Sequence, residues 1–291
     1  MADVSKKFRF MVKAEDNHQR IDVWLTKKIA GYSRSFIVSQ IKLGRVWIEN
    51  RIARSNSEIR TGQSVVAELQ IPTTDIVPEP IELEVIYKDK NLAVINKPAG
   101  LVMHPAGAYK KGTLANALKY HFPGFYLVHR LDKDTSGIVI VALNQATKNY
   151  LSQLFQDRKI KKTYLALLSG KIIPKEAYLD LPIRRDRKGK FTAMAGGKTA
   201  KSFYRVKMYL PGFSLVEVQP ETGRTHQIRV HFQALKHPII GDTIYSKSEP
   251  GLNRQFLHAY KIEFIDRQGR KKSFTAPLPA ELNNFLKNVK R

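Results

Sequence analysis

Ten consecutive positions, Val128-His-Arg-Leu-Asp-Lys-Asp-Thr-Ser-Gly137, hold most kinds of polar side chain that enzymes use. Asp132 and Asp134 have the chemistry of a nucleophile or a general base. His129 could serve as acid, base or ligand. Arg130 suits contact with a phosphate or a nucleobase. Two further segments are comparably dense. Val94-Ile-Asn-Lys-Pro-Ala-Gly-Leu-Val-Met-His-Pro105 reads as a strand entering a Pro/Gly loop. Pro220-Glu-Thr-Gly-Arg-Thr-His-Gln-Ile-Arg-Val-His231 reads as a strand end, a turn and a helix start.

Several chemistries are excluded or disfavoured. The chain has no cysteine, so disulfides, thiolate nucleophiles and iron–sulfur clusters are out. A kinase catalytic loop places His, Arg and Asp in direct succession, whereas Leu131 separates Arg130 from Asp132 here. His104, His129, His226 and His231 lack the spacing of zinc ligands, and no Gly-rich phosphate loop is present. No metal and no cofactor is expected.

The elements that must position these residues follow from pattern. Ile138-Val-Ile-Val-Ala-Leu143 is continuously apolar, which predicts a strand covered on both faces directly after the polar loop. Further strands are expected over Leu83–Tyr87, Leu92–Asn96, Tyr164–Leu168 and Phe213–Val218. Helices are expected over Thr113–His121, Ala146–Arg158, Thr225–Leu235 and Pro279–Asn288. Strands outnumber helices without strict alternation. That pattern predicts an α+β fold built on a large mixed, mainly antiparallel sheet.

Pro72, Pro78 and Pro80 mark residues 71–80 as a linker between a small domain, 1–70, and a larger one, 81–291. In the small domain, Ile21, Trp24, Leu25 and Ile29 recur at helical spacing. Ser33 is placed to cap a second helix carrying Phe36, Ile37 and Ile41, and Gly44 ends it. Val46 and Ile48 begin a strand region with a turn at Asn50-Arg51. The expected order is therefore two helices and then strands. Arg34, Lys42, Arg45, Arg51 and Arg54 give the unit a basic character.

Charge indicates the partner. Fifty Lys and Arg against twenty-five Asp and Glu leave a net charge of +25, which favours polyanions and nucleic acid above all. The excess is concentrated between Gln156 and Lys207, where fifteen basic residues face four acidic ones. Lys159, Lys161 and Lys162 precede Tyr164. Arg184, Arg185, Arg187, Lys188 and Lys190 surround Gly189 at an expected hairpin tip. No apolar run approaches the length of a membrane span, and Met1–Val12 lacks a signal-peptide core. A cytoplasmic monomer is expected, since no coiled-coil pattern occurs.

The three reactive segments together resemble the RluA class of pseudouridine synthases, and the chain looks most similar to the RluD type, which modifies large-subunit ribosomal RNA. The likeness rests on His129-Arg-Leu-Asp-Lys-Asp-Thr-Ser-Gly137 and Glu221-Thr-Gly-Arg-Thr-His-Gln-Ile-Arg-Val-His231. Lys97-Pro-Ala-Gly-Leu-Val-Met-His-Pro105, Lys162-Thr-Tyr164 and Gly241-Asp242 add to it. Lys236 departs from the pattern, since many members have Gly before His237-Pro238. The segments Arg20-Ile-Asp-Val-Trp-Leu25, Ser33-Arg-Ser35 and Ile41-Lys-Leu-Gly-Arg-Val46 resemble a ribosomal-protein S-four-like RNA-binding domain with its core over 18–67.

These resemblances imply a cofactor-free RNA isomerase in which Asp132 is the catalytic carboxylate and Arg229 its partner. A cation beside a carboxylate favours the charged form. They also imply that Arg130 fills the space of an extracted uridine and that Tyr164 lies against the base. Arg34, Lys42, Arg45, Lys159, Lys161, Lys162, Arg184 and Arg185 are the expected RNA contacts.

Overall fold

The computed structural model describes residues 4–71, 76–106, 108–247 and 249–289. The chain divides into two compact units, Met1–Asp75 and Ile76–Arg291. In the first, β1 (Val4–Met11) precedes α1 (Ile21–Lys28) and α2 (Arg34–Lys42). β2 (Val46–Ile48), β3 (Arg51–Ile52) and β4 (Ser64–Ile71) follow. The four strands form one sheet in the order β1-β4-β2-β3. Ser33 caps α2 by accepting from the Phe36 amide at 3.2 Å. Trp24, Leu25, Ile37, Ile41, Val46, Val65, Ala67 and Leu69 close the core.

Two details differ from expectation. A strand precedes the helices, because Phe8 and Phe10 pack against the core while the charged residues between and before them stay exposed. The β2–β3 turn is centred on Glu49-Asn50, one residue earlier than expected. Both residues have positive φ, 48° and 63°, which suits a tight hairpin.

The helices of this unit are tied by one buried aspartate. Asp22 accepts from Arg20 at 3.1 and 3.2 Å and from Arg34 at 3.1 and 2.7 Å. Burial opposes the Asp22 charge, but Arg34 and Arg20 outweigh it and hold the carboxyl below its ordinary value.

The second unit begins with an extended segment, residues 76–80, that packs on the start of α3. The Glu79 carboxylate accepts from the Gly112 amide at 3.1 and 3.2 Å, and Asn116 donates to the Val77 carbonyl at 2.8 Å. Of the expected linker, residues 72–75 lie outside the described residues. The elements then run β5 (Glu84–Lys88), β6 (Leu92–Lys97), α3 (Leu114–His121), β7 (Tyr126–Leu127) and β8 (Ser136–Ala142). Next come α4 (Gln145–Gln156), β9 (Lys161–Ser169), β10 (Glu176–Asp180), β11 (Ile183–Arg185) and β12 (Phe191–Ala193). β13 (Lys201–Leu210), β14 (Phe213–Pro220), α5 (Gln227–Ala234), β15 (Leu257–Ile265), β16 (Lys271–Thr275) and α6 (Ala280–Val289) complete it.

The large sheet has the order β10-β13-β14-β9-β15-β8-β6-β5, with β16 on β15 and β7 on β8. It is mixed and mainly antiparallel, as expected, and β15 with β8 is a parallel pair. The apolar run in β8 is covered on both faces. Ile138 and Ile140 pack with Leu151 and Leu154 of α4, while Val139 and Val141 pack with Leu114 and Leu118 of α3. β11 and β12 pair separately as a hairpin whose tip holds Arg187, Lys188 and Gly189.

Register in this sheet decides what meets at its centre. Ala259 of β15 is opposite Gly137 on one side and Tyr164 on the other. The reactive loop ending at Gly137 is thereby set two strands from Tyr164. Gly137 has φ +111°, and a Cβ there would lie 2.3 Å from the Ala259 carbonyl oxygen. Only glycine permits this approach.

Gly137→Ala is therefore expected to destabilise the protein by about 3 kcal/mol or more, from strain plus collision. Gly212→Ala meets open space at φ +72° and should cost about 1 kcal/mol. Urea denaturation of both variants compares the two costs.

Candidate active site

Asp132 stands in a loop that four separate groups hold at its backbone or flanks. The Lys97 ammonium, fully buried at the end of β6, donates to the carbonyls of Pro98, Leu101 and Lys133 at 2.7, 2.9 and 2.9 Å. Burial presses Lys97 down to about 7, with the Asp134 charge opposing. Three carbonyl acceptors match the three donors of a charged ammonium. Arg254 donates to the Asp134 carbonyl at 3.1 Å and to the Ser136 hydroxyl at 3.1 Å. Gln255 reaches the Thr135 hydroxyl at 3.3 Å. His258 donates through Nε2 to the Ala276 carbonyl at 3.2 Å, so its Nδ1 accepts from Ser136 at 2.9 Å.

The Asp132 side chain is met from α5. Arg229 donates through Nη1 to Asp132 Oδ2 at 3.2 Å. Its Nε and Nη2 donate to Asp242 at 2.6 and 2.8 Å, a bidentate pair. Asp242 also accepts from the amides of Ile244 and Tyr245 at 3.0 and 3.1 Å. Burial disfavours the Arg229 charge, but Asp242 and Asp132 more than offset it and raise its pKa. Side-chain exposure is 5% for Arg229, 0% for Asp242 and 20% for Asp132, so of the three Asp132 is the most open to the cleft. Among the described residues no donor reaches Asp132 Oδ1, which leaves that oxygen available.

The cleft holds about 420 Å³ and is lined by Arg130, Asp132, Lys162, Tyr164, His226 and Arg229, among others. Burial first, and the Asp132 charge second, push the Tyr164 phenol well above its ordinary value, so it keeps its proton. Burial brings Lys162 down to about 8. His129 is the opposite of a free catalyst. Burial holds it down to about 3, and its Nε2 accepts from the Ile140 amide at 2.9 Å.

Of the residues singled out from sequence, the structure brings Arg130, Asp132, Lys162, Tyr164 and Arg229 to one cleft. Lys159, Lys161, Arg184 and Arg185 are exposed and lie outside its lining. Arg34, Lys42 and Arg45 belong to the first unit, where Arg34 is bound to Asp22 and Lys42 is exposed. The sequence assigns no role to Tyr245 or Arg158, and Arg224, His226 and Asp242 enter only as members of motifs. Their juxtaposition with Asp132 depends on tertiary structure. Lys236 has φ +61°, a left-handed conformation that explains glycine as the common alternative.

The RNA pseudouridylate synthase family model matches residues 91–234, which include both the Asp132 and the Arg229 segments. An RNA pseudouridine synthase of Bacillus subtilis, YlyB, described as uncharacterized, is 34% identical over 95% of this chain and 96% of its own length. The chain belongs to the RNA pseudouridine synthase family. Members are isomerases, and this synthase is also similar to the ribosomal large subunit pseudouridine synthase D of Neisseria meningitidis. That relative is 34% identical over 92% of this chain and 78% of its own. The solved human RNA pseudouridylate synthase domain containing 1 superposes with a TM-score of 0.58 at 27% identity, covering 72% of this chain and 94% of that one. No described helix of the synthase is long and apolar enough to cross a membrane.

Two fully buried histidines make the stability of the synthase depend on pH. Burial holds His231 and His258 down to about 4 each. Unfolded histidine titrates near 6.5, so between these values the unfolded chain binds more protons. The stabilisation from keeping them neutral is complete above about pH 6.5 and declines as pH falls toward 4. From pH 6.5 to 5, the two together should lose about 3 kcal/mol. Denaturant titrations at both pH values, with His258→Gln reducing the difference, check this.

Proposed function

We propose that the chain isomerises specific uridines in RNA to pseudouridine, with large-subunit ribosomal RNA as the substrate, and that Asp132 is the catalytic carboxylate. The supporting observation is the placement of Asp132: one oxygen is held by Arg229, and the other is open to a cleft that also holds Tyr164 and Arg130. The similarity to a relative named for the ribosomal large subunit favours that substrate.

The reaction breaks the bond between ribose C1′ and uracil N1, turns the base, and joins C1′ to C5. C5 loses a proton and N1 gains one, so the product has the mass of the substrate. The carboxylate acts at the sugar or the base as nucleophile or base. The target uridine leaves its stack to reach the cleft, at a cost of a few kcal/mol. Arg130 is exposed at the cleft and has a flat cation to fill the vacated stack. Tyr164 provides an aromatic face, worth about 1–3 kcal/mol to a stacked base. Its raised pKa keeps it a neutral hydrogen-bond donor.

The Asp132–Arg229–Asp242 group carries one net negative charge and would repel phosphate by itself. Lys162, Arg130, Arg158 and Arg224 line the same cleft and reverse that sign. Lys159, Lys161, Arg184 and Arg185 extend the basic surface along the RNA path. In the first unit, an S-four-like RNA-binding domain grips RNA through Lys42 and Arg45, with Arg34 holding α2 to α1 through Asp22.

Asp132→Asn should bind RNA with near-normal affinity and form no pseudouridine, read by mapping modified sites in ribosomal RNA. Retained modification would end the assignment of Asp132. Changing Arg184, Arg187 and Lys188 to Gln should flatten the plot of log affinity against log salt by about one to two. An unchanged slope would remove the hairpin from the RNA path.

A further inference from the structure

His226 faces the same Asp132 oxygen that Arg229 binds. Its Nε2 lies 3.9 Å from Asp132 Oδ2, and its Nδ1 lies 2.9 Å from the Tyr245 hydroxyl. His226 precedes α5 in a left-handed conformation, φ 56° and ψ 20°. For a non-glycine residue this conformation is costly and needs support from its surroundings. The surroundings are aromatic. Phe191 of β12 meets the ring edge-on at 5.7 Å and Tyr245 at 5.6 Å. Tyr245 is itself fixed beneath the Arg229 guanidinium at 5.2 Å and the Lys190 ammonium at 4.7 Å.

The position of the ring proton follows from charge. A bare Nε2 lone pair facing a carboxylate oxygen would set two acceptors against each other, whereas an Nε2–H is attracted. Nδ1 is then the acceptor, and the Tyr245 hydroxyl donates to it. Burial, ahead of the other charges, lowers the His226 pKa and keeps the ring neutral. Burial likewise pushes Tyr245 up to about 12, so the phenol retains its proton.

We infer that His226, locked by Tyr245 as the Nε2–H tautomer, is a positioning residue that acts through Asp132. Together with Arg229 it holds Oδ2 and turns Oδ1 toward the substrate. The inference rests on the reading of Asp132 as the catalytic carboxylate. It also gives the basic β11–β12 hairpin a second task. Phe191 and Lys190 of that hairpin pack on the His226–Tyr245 pair, so RNA seated on the hairpin steadies the ring that steadies the carboxylate.

Four variants of the full-length protein test this with uridine-containing ribosomal RNA transcripts. His226→Phe, which keeps the ring and removes the N–H, should lower kcat by about threefold to tenfold with KM little changed, as expected for losing an N–H dipole that faces a charged oxygen at 3.9 Å without a direct hydrogen bond. His226→Gln, which restores an N–H near the Nε2 position, should recover most of that loss. Tyr245→Phe removes one hydroxyl and should lower kcat by about threefold to tenfold. Nitrogen NMR of the wild-type imidazole should show a neutral ring protonated at Nε2, with that preference weakened in Tyr245→Phe. A ring protonated at Nδ1, or His226→Phe with undiminished kcat, overturns the inference. Asp132→Asn separates the two failures. If it is active, the reading of Asp132 falls and the positioning role falls with it. If it is inactive while His226→Phe is undiminished, the positioning role alone falls.

Discussion

One guanidinium holds the site together. Arg229 spends three of its donor atoms on two carboxylates that come from different parts of the chain. The bidentate pair with Asp242 is fully buried and fixes the plane of the group. That plane determines where Nη1 points, and Nη1 determines where Asp132 rests. A buried arginine with only one acid would form a pair with no net charge. With two acids, the group as a whole is an anion with one oxygen open. Asp242 in turn is fixed by the amides of Ile244 and Tyr245, so the turn after Gly241 is as much part of the site as the loop bearing Asp132.

The loop is positioned by the same kind of economy. Lys97, Arg254 and His258 use their polar atoms on backbone carbonyls and hydroxyls around Asp132, and none of them contacts its carboxylate. The charges of Lys97 and Arg254 are satisfied locally, which leaves the Asp132 side chain to Arg229. Gly137 then allows β8 to approach β15 closely enough for these bonds to form.

Much of this was legible in the sequence where local pattern determines structure. The β8 run was readable as a doubly covered strand because α3 and α4 pack on opposite faces of it. Ser33 was readable as a cap because the cap bond spans only three residues. Charge hid β1, since Lys6, Lys7 and Arg9 blur the alternation of Phe8 and Phe10. Arg34 looked like a free cation, because no one-dimensional pattern reveals that Asp22 claims it. The grouping of His226, Tyr245 and Asp242 around Asp132 was invisible for a related reason. Their contacts cross many residues of chain, and His226 adopts a backbone conformation that no residue type at that position announces.

The parallel pairing of β8 with β15 has a consequence for synthesis of the protein. Arg254 reaches the Asp134 carbonyl across 120 positions of chain, and His258 reaches Ser136 across 122. A nascent polypeptide that has emerged only as far as α4 carries every residue of the Asp132 motif and Lys97, but not Arg254, Gln255 or His258. Contacts of such long sequence separation close late in folding. The loop bearing Asp132 thus gains its full set of contacts only after the segment that carries Arg254, Gln255 and His258 has been made.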